Sequence, residues 1–498
     1  MISAPRRGSS RRPWLNGVLA VTLSGCAAAD TRGHVAVSEP DAADAAMDAS
    51  AVTDSGMDGS PNDASADATV PNPHGPTPIY PSVEQALQLP YRGELVQAQL
   101  ILAAKPSKLD VHINIDSTGS FGEEIAALQS ELTRTVVPRL LERVADTQFG
   151  LSRFADFPRL PFGRPASLGK PDVPYQLLCP ITAKVAPVTS ALSALKRSLG
   201  HGADIPEASA EALYQVATGQ GFTLDKTQFI APFDAKAAAA DGGGTAGGVG
   251  FRDGSLRVVL HITDAPAHDP ASYAAAGIPG THSLAQAASA LNALGAHVIG
   301  INSTPSADPN YPEVRGELSE LALTTGAYTA PVKARCATGI SGKSVPTFED
   351  QCPWVFDVLP NGSGLASSLV DAVVALLEDV HFTEVHAETG ADPLGFIAGI
   401  ELVDVPQSAG VAAPQTADRY PRGAPDGVPD SYVNVTARQK LGFAVLLGNP
   451  RIAPIDIEQR FRVAVRLLGD GVQLEERLLG VRVDAVTSPD LDRDAGPN

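Results

Sequence analysis

LDVHINIDSTGSFGEE, residues 109–124, is the stretch from which the fold is read. Its first half is dense in Val, Ile and Leu, the composition of a strand buried on both faces. The run stops at Asp116, and Ser117, Thr118, Gly119 and Ser120 follow at once. A carboxylate and two hydroxyls at alternate positions, Asp116, Thr118 and Ser120, form a hard-oxygen set suited to Mg²⁺ or Ca²⁺. Beyond the acidic pair Glu123 and Glu124, the residues Ile125, Leu128, Leu132, Val136, Leu140 and Val144 recur every three or four positions. That spacing predicts a helix from about Glu123 to Val144. Strand, polar turn and helix make the opening of a βα unit.

The same alternation continues along the chain. QFGLSRFAD (148–156), LRVVLHITDA (256–265) and AHVIGIN (296–302) read as strands. VTSALSALKRSLG (188–200), ASAEALYQVAT (208–218), SLAQAASALNAL (283–294), VRGELSELALTTG (314–326) and SSLVDAVVALLEDV (367–380) read as helices. The segment between the second strand and the first of these helices reads as a Pro-rich connection. Near-continuous apolar strands alternating with amphipathic helices predict a doubly wound, mainly parallel α/β sheet of Rossmann-like type. Such sheets bind ligands beyond the carboxyl ends of their strands, where DSTGS and ITDA fall. A Gly-rich insertion, ADGGGTAGGVGFRDGS (240–255), is expected to be a mobile loop near that site.

After residue 381 the pattern changes to short strands separated by Gly, Pro and Asn turns: HFTEVHAE, GFIAGIELVDV, SYVNVTA, KLGFAVLLG, QRFRVAVRLLG and LLGVRVDAV. They predict a small β-sandwich. GELVQAQLILAAK (93–105) has no partner within the α/β unit, so it is assigned to the sandwich, and the α/β unit to an insertion within it. The expected organisation is a signal peptide over 1–25, a disordered Asp/Ala/Ser-rich linker over 26–78, sandwich strands over 79–105, the α/β domain over 106–380, the sandwich over 381–488 and a tail over 489–498.

At the N-terminus, Arg6, Arg7, Arg11 and Arg12 precede the uncharged stretch WLNGVLAVTLSG, the layout of an export signal and too short for a spanning helix. Arg11 and Arg12 also fit a twin-arginine signal loosely. LSGC, ending in Cys26, resembles a bacterial lipobox, which implies lipidation of Cys26 and anchoring to the bacterial cell envelope, the outer membrane being the expected place. The following acidic tract holds almost no bulky apolar residue, so it reads as a disordered tether. Cys336 and Cys352 bracket a polar loop, and an exported chain can keep a disulfide there. Cys179 is left over, expected to be an unpaired, buried, hydrophobe-like thiol. The net charge of −19 argues against nucleic-acid binding.

Residues 106–380 resemble a von Willebrand factor type A domain. Its metal-ion-dependent adhesion motif, D-x-T-x-S, is met by Asp116, Thr118 and Ser120. FADFP with Asp156, ADIPE with Asp204 and Glu207, and ITDA with Asp264 follow in the order of the inserted-type domain of integrin β chains. The resemblance implies a site of Asp116, Thr118, Ser120, Glu207 and Asp264 holding Mg²⁺, or Ca²⁺ or Mn²⁺ in its place. It implies an adjacent ion at Glu123 and Glu124, and a third at Asp156, Asp204 and the Pro206 carbonyl. Two departures stand out: Gly202 lies where the family has an Asn, and the adjacent pair is Glu rather than Asp.

Bland readings exist for each residue. Asp116 could cap the next helix, although that role calls for neither Glu207 nor Asp264. Glu207 could merely favour a helix N-terminus. His261 and His268 read as strand packing and loop hydrogen bonding, since no HExxH motif accompanies them. GISGKS (339–344) lacks the first glycine of a phosphate loop. DGVPD (426–430) reads as a turn. No nucleophile elbow and no reactive Cys with a base is visible, so the chain is read as no enzyme. The expected function is a surface-anchored protein that binds a carboxylate of a protein or polysaccharide partner through the cation. A structural envelope or matrix role, in which the ion only stiffens loops, is the alternative, and a metal-dependent hydrolase the more distant one.

Overall fold

Strand β1 (Lys108–Asp116) is buried along both faces, Leu109, Val111, Ile113 and Ile115 on one side and Asp110, His112, Asn114 and Asp116 on the other. Only a strand within a covered sheet meets that condition. In the computed structural model, which describes residues 86–238, 243–419 and 427–486, β1 lies at the centre of six strands. The others are β2 (Asp146–Phe154), β3 (Gln176–Thr182), β4 (Leu256–Thr263), β5 (Ala296–Asn302) and β6 (Val355–Asp357). Their order is β6-β5-β4-β1-β2-β3, with every pairing parallel except β3 against β2. The stretches read above as an export signal and an acidic tether, with Cys26, and the C-terminal tail lie outside the described residues.

Seven helices of this unit matter below: α1 (Gly122–Glu131), α2 (Val137–Arg143), α3 (Val185–Lys196), α4 (Ser209–Thr218), α5 (Leu284–Ala293), α6 (Tyr311–Thr324) and α7 (Leu365–Asp379). They fall into two packed sets, α1, α2, α3 and α7 in one, α4, α5 and α6 in the other. The expected single helix over 123–144 is interrupted by a π-turn at Leu132–Val136, where the Val137 N–H donates to the Leu132 carbonyl five residues back. Pro138 supplies the reason. It has no N–H for the Arg134 carbonyl, so the ladder slips by one residue.

β3 was hidden in the supposed Pro-rich connection. Pro180 argues against a central strand, but β3 is the sheet edge, where a missing N–H is tolerated. Cys179 on β3 is fully buried and is not a free cysteine, which corrects the expectation of an unpaired thiol. Cys336 and Cys352 are joined in a disulfide.

The Gly-rich segment is not at the strand ends that carry DSTGS. Its described part, 243–255, precedes β4 and packs at the opposite end of the sheet. The Ile181 N–H there donates to Val249 (2.9 Å) and the Gly248 N–H to Val216 at the end of α4 (2.9 Å). A Cβ on Gly248 would lie 1.9 Å from the Gln215 carbonyl, so this glycine serves close backbone approach.

Strand Val96–Ala103 runs antiparallel to Lys440–Leu447, which also pairs with Ile397–Val403. A second sheet is built from Leu87–Gln88, His381–Thr389, Gln415–Ala417, Ser431–Thr436, Gln459–Gly469 and Val472–Val483. Tyr432 links the two sheets: its hydroxyl donates to the Gly442 carbonyl (2.8 Å), and its ring meets Phe443 edge-on. Segments on either side of the α/β unit are thus hydrogen bonded to each other. Among the described residues, no helix is long and apolar enough to cross a membrane.

Candidate metal centre

Three adjacent parallel strands deliver three aspartates to one end of the sheet. Asp116 is the last residue of β1, Asp264 follows the last residue of β4, and Asp156 stands two residues beyond β2. Parallel register places these ends side by side, with Asp116 opposite Phe154 and Ile115 opposite Ile262. Glu207 arrives from the loop before α4. Its backbone is zipped to the Asp264 loop: the Glu207 N–H donates to Pro266 (2.9 Å) and the His268 N–H to Glu207 (3.0 Å). Glu317 of α6 holds the same loop by accepting from the Ala267 N–H at 2.8 Å.

Asp116 is fully buried. Its Oδ1 accepts from the Thr118 N–H (2.9 Å) and hydroxyl (2.8 Å), and its Oδ2 from Thr263 Oγ1 (3.2 Å). The Thr118 and Ser120 hydroxyls lie 3.0 Å apart. Asp116, Thr118 and Ser120 therefore converge as oxygen donors. Asp116 does not cap α1, whose N-cap is Phe121.

Glu207 is buried, and its Oε2 has no hydrogen-bond partner. Among the described residues, no Lys, Arg or His forms an ion pair with Asp116, Glu207 or Asp264. The electrostatic result is severe. Burial, then the charge of Asp264, raises the Asp116 pKa to about 8. Burial, then Asp116 and Asp156, raises that of Glu207 to about 11. Burial also raises Asp264, against hydrogen bonding from Ser120.

The acidic pair splits. Glu123 is exposed, whereas Glu124 is buried with an unpartnered Oε2, and burial, opposed by its own backbone N–H, lifts it to about 7, with Asp264 adding to the rise. Asp156 and Asp204 meet at His268, whose Nε2 is 3.1 Å from Asp156 Oδ2 and 3.3 Å from Asp204 Oδ1. Burial alone would lower the His268 pKa, but the two carboxylates outweigh it and raise it. Sequence reasoning treated His268 as a loop hydrogen bonder; its place four residues after Asp264 was the only available signal. Asp172 was missed entirely. It is buried and accepts from the N–H groups of Arg164 (2.6 Å), His201 (2.7 Å) and Gly202 (3.1 Å), shaping the loop that leads to Glu207.

A divalent cation fits the Asp116 site on this structure's own terms. All donors are hard oxygens, one buried carboxylate oxygen lacks any partner, and among the described residues no basic side chain pairs with Asp116, Glu207 or Asp264.

No family model matches the sequence, and no curated protein matches it. Solved structures similar to the chain include a von Willebrand factor type A protein from Catenulispora acidiphila, at 13% identity and a TM-score of 0.31, covering 81% of this chain and 72% of that one. They include the pilus adhesin SpaC from Lactobacillus rhamnosus GG in its open conformation, at 9% identity and TM-score 0.30, covering 80% and 46%. A third is proximal thread matrix protein 1 from the mussel byssus, at 14% and 0.30, covering 56% and 51%.

Proposed function

We propose that this chain is a surface-anchored ligand-binding protein that holds a divalent cation at Asp116, Thr118, Ser120, Glu207 and Asp264. The observation that carries the reading is the buried Glu207 Oε2, which has no hydrogen-bond partner and feels the charge of Asp116, with no basic residue among the described residues paired to either carboxylate. Two buried carboxylates left charged without a counter-ion are strongly disfavoured.

The neutral donors set the chemistry. Thr118 and Ser120 bring oxygens without charge, so an ion held partly by them keeps electrophilic character. A bound Mg²⁺, Mn²⁺ or Ca²⁺ would offer a coordination position to a carboxylate of a protein or polysaccharide partner. Thr263 and the Thr118 N–H orient Asp116 for this, and the pairing of the Glu207 and Asp264 loops keeps both carboxylates at the same rim. That arrangement favours binding over catalysis, in an integrin-like mode. The basic and apolar N-terminal stretch and the acidic tract after it support export and placement on the outside of a bacterial envelope.

The test is thermal unfolding of the full chain, stripped of metal, with and without Mg²⁺, Mn²⁺ or Ca²⁺. The wild type is expected to gain stability with added cation as ln(1 + [L]/Kd), and Asp116→Ala to gain none. No gain in the wild type, or an equal gain in the variant, would overturn the reading.

A further inference from the structure

We propose that Asp156, Asp204 and His268 form a second cation centre, separate from Asp116, that takes a borderline transition metal such as Zn²⁺ or Co²⁺. The resemblance to integrin β chains implies an all-oxygen ion position here; the structure puts an imidazole nitrogen into it.

Asp156 is prepared on one oxygen only. Its Oδ1 accepts from the Phe157 N–H (2.5 Å) and the Tyr273 hydroxyl (2.6 Å). Its Oδ2 is fully buried, accepts no aligned hydrogen bond, and faces His268. The His268 ring is boxed by Phe162 and Tyr273, with centroids 4.9 and 4.8 Å away. Its backbone N–H is tied to Glu207 at 3.0 Å, so both ends of this residue are held.

The spacing suits a shared ion. The donor atoms of all three side chains lie within 4.8 Å of one another, and two separations are 3.1 and 3.3 Å. Ligands about 2.0–2.1 Å from a tetrahedral Zn²⁺ sit roughly 3.3–3.4 Å apart, so only the Asp156–Asp204 edge has to close. Asp204, with its side chain 31% exposed, gives the ion a route from solvent, while Asp156 and His268 are closed off. Three protein donors leave the fourth position to water. One nitrogen among the donors moves preference from Mg²⁺ and Ca²⁺ toward zinc-like metals, which accept imidazole readily. The Tyr273 hydroxyl acts on Asp156 from outside as a positioning group.

The experiment titrates Co²⁺ into tag-free full chain in excess Mg²⁺ and reads the visible ligand-field absorption. One Co²⁺ per chain is expected, unchanged in Asp116→Ala and lost in both His268→Ala and Asp204→Asn. Asp204 is partly exposed, so Asp204→Asn tests the centre even where His268→Ala fails to fold. Tyr273→Phe is expected to weaken Co²⁺ binding by roughly 10- to 100-fold. No Co²⁺ uptake by wild type would overturn the proposal and leave the trio a closed ion pair. Uptake that survives both ligand substitutions would overturn it too, by placing the metal elsewhere. Loss in Asp116→Ala alone would assign the Co²⁺ to the first site and refute a separate centre.

Discussion

Gly202 shows how much one missing side chain decides. It sits at φ +62°, in the left-handed region, and a Cβ there would come within 2.8 Å of Glu207 Oε1. Any side chain at this position would press on the Glu207 carboxylate. Gly202→Ala is therefore expected to weaken cation binding by roughly tenfold, the equivalent of about 1.4 kcal/mol, read as a smaller thermal shift at fixed Mg²⁺. An unchanged shift would mean that Glu207 is not a ligand. The buried carboxyls add a pH dependence at the same scale. Their folded pKa values, about 8 for Asp116, 7 for Glu124 and 11 for Glu207, exceed the ordinary carboxyl range. The metal-free fold thus binds protons that the unfolded chain has released, and it loses stability as pH rises from about 4.5 toward those values. A divalent cation replaces the protons, so its stabilising effect should be larger at pH 8 than at pH 5.5. Equal shifts at both pH values would contradict this.

Among the elements, β1, β2 and β4 share a buried polar row beneath the site. His112 Nε2 meets Ser152 Oγ (2.8 Å), Ser152 donates to Asn114 Oδ1 (2.7 Å), and Asn114 Nδ2 lies 3.1 Å from His261 Nδ1. Burial lowers both histidines to about 3, so they are neutral in the fold. Unfolded, each titrates near 6.5, and the stability they allow is lost as pH falls from about 6.5 toward 3. His112→Gln should flatten the acid limb of a plot of melting temperature against pH, even if it lowers the plateau. An unaltered acid limb would show that other groups control it. The elements also show where periodicity misled. Apolar spacing ran unbroken through 125–144, yet Pro138 divides the helix, because spacing records which side chains are buried and not which carbonyls lack a donor. Pro180 did the reverse, disguising an edge strand as a connection.

For the whole molecule, the question is whether the segment before β1 is integral to the later β strands. Leu102 is 1% exposed and pairs with Leu441, more than three hundred residues away in the chain. Leu102→Ala should cost roughly 2–5 kcal/mol, as in a core, measured by denaturant unfolding. A near-neutral result would mean that Val96–Ala103 is only an appended edge. The disulfide closes a short loop, Cys336 to Cys352, and its removal should cost roughly 3 kcal/mol. Composition and periodicity by themselves determined the mixed α/β class, the change to short strands after residue 381, and the hard-oxygen run of Asp116, Thr118 and Ser120, because local patterns and turn chemistry are written in consecutive residues. Glu207 and Asp264 became candidates only through the resemblance of the sequence to integrin β chains. Three things were decided only by tertiary structure: the burial that separates Glu124 from Glu123, the position of the Gly-rich segment, and the meeting of His268 with Asp156 and Asp204. Each depends on which strand ends and loops become neighbours, and burial, charge coupling and donor spacing arise only once they do.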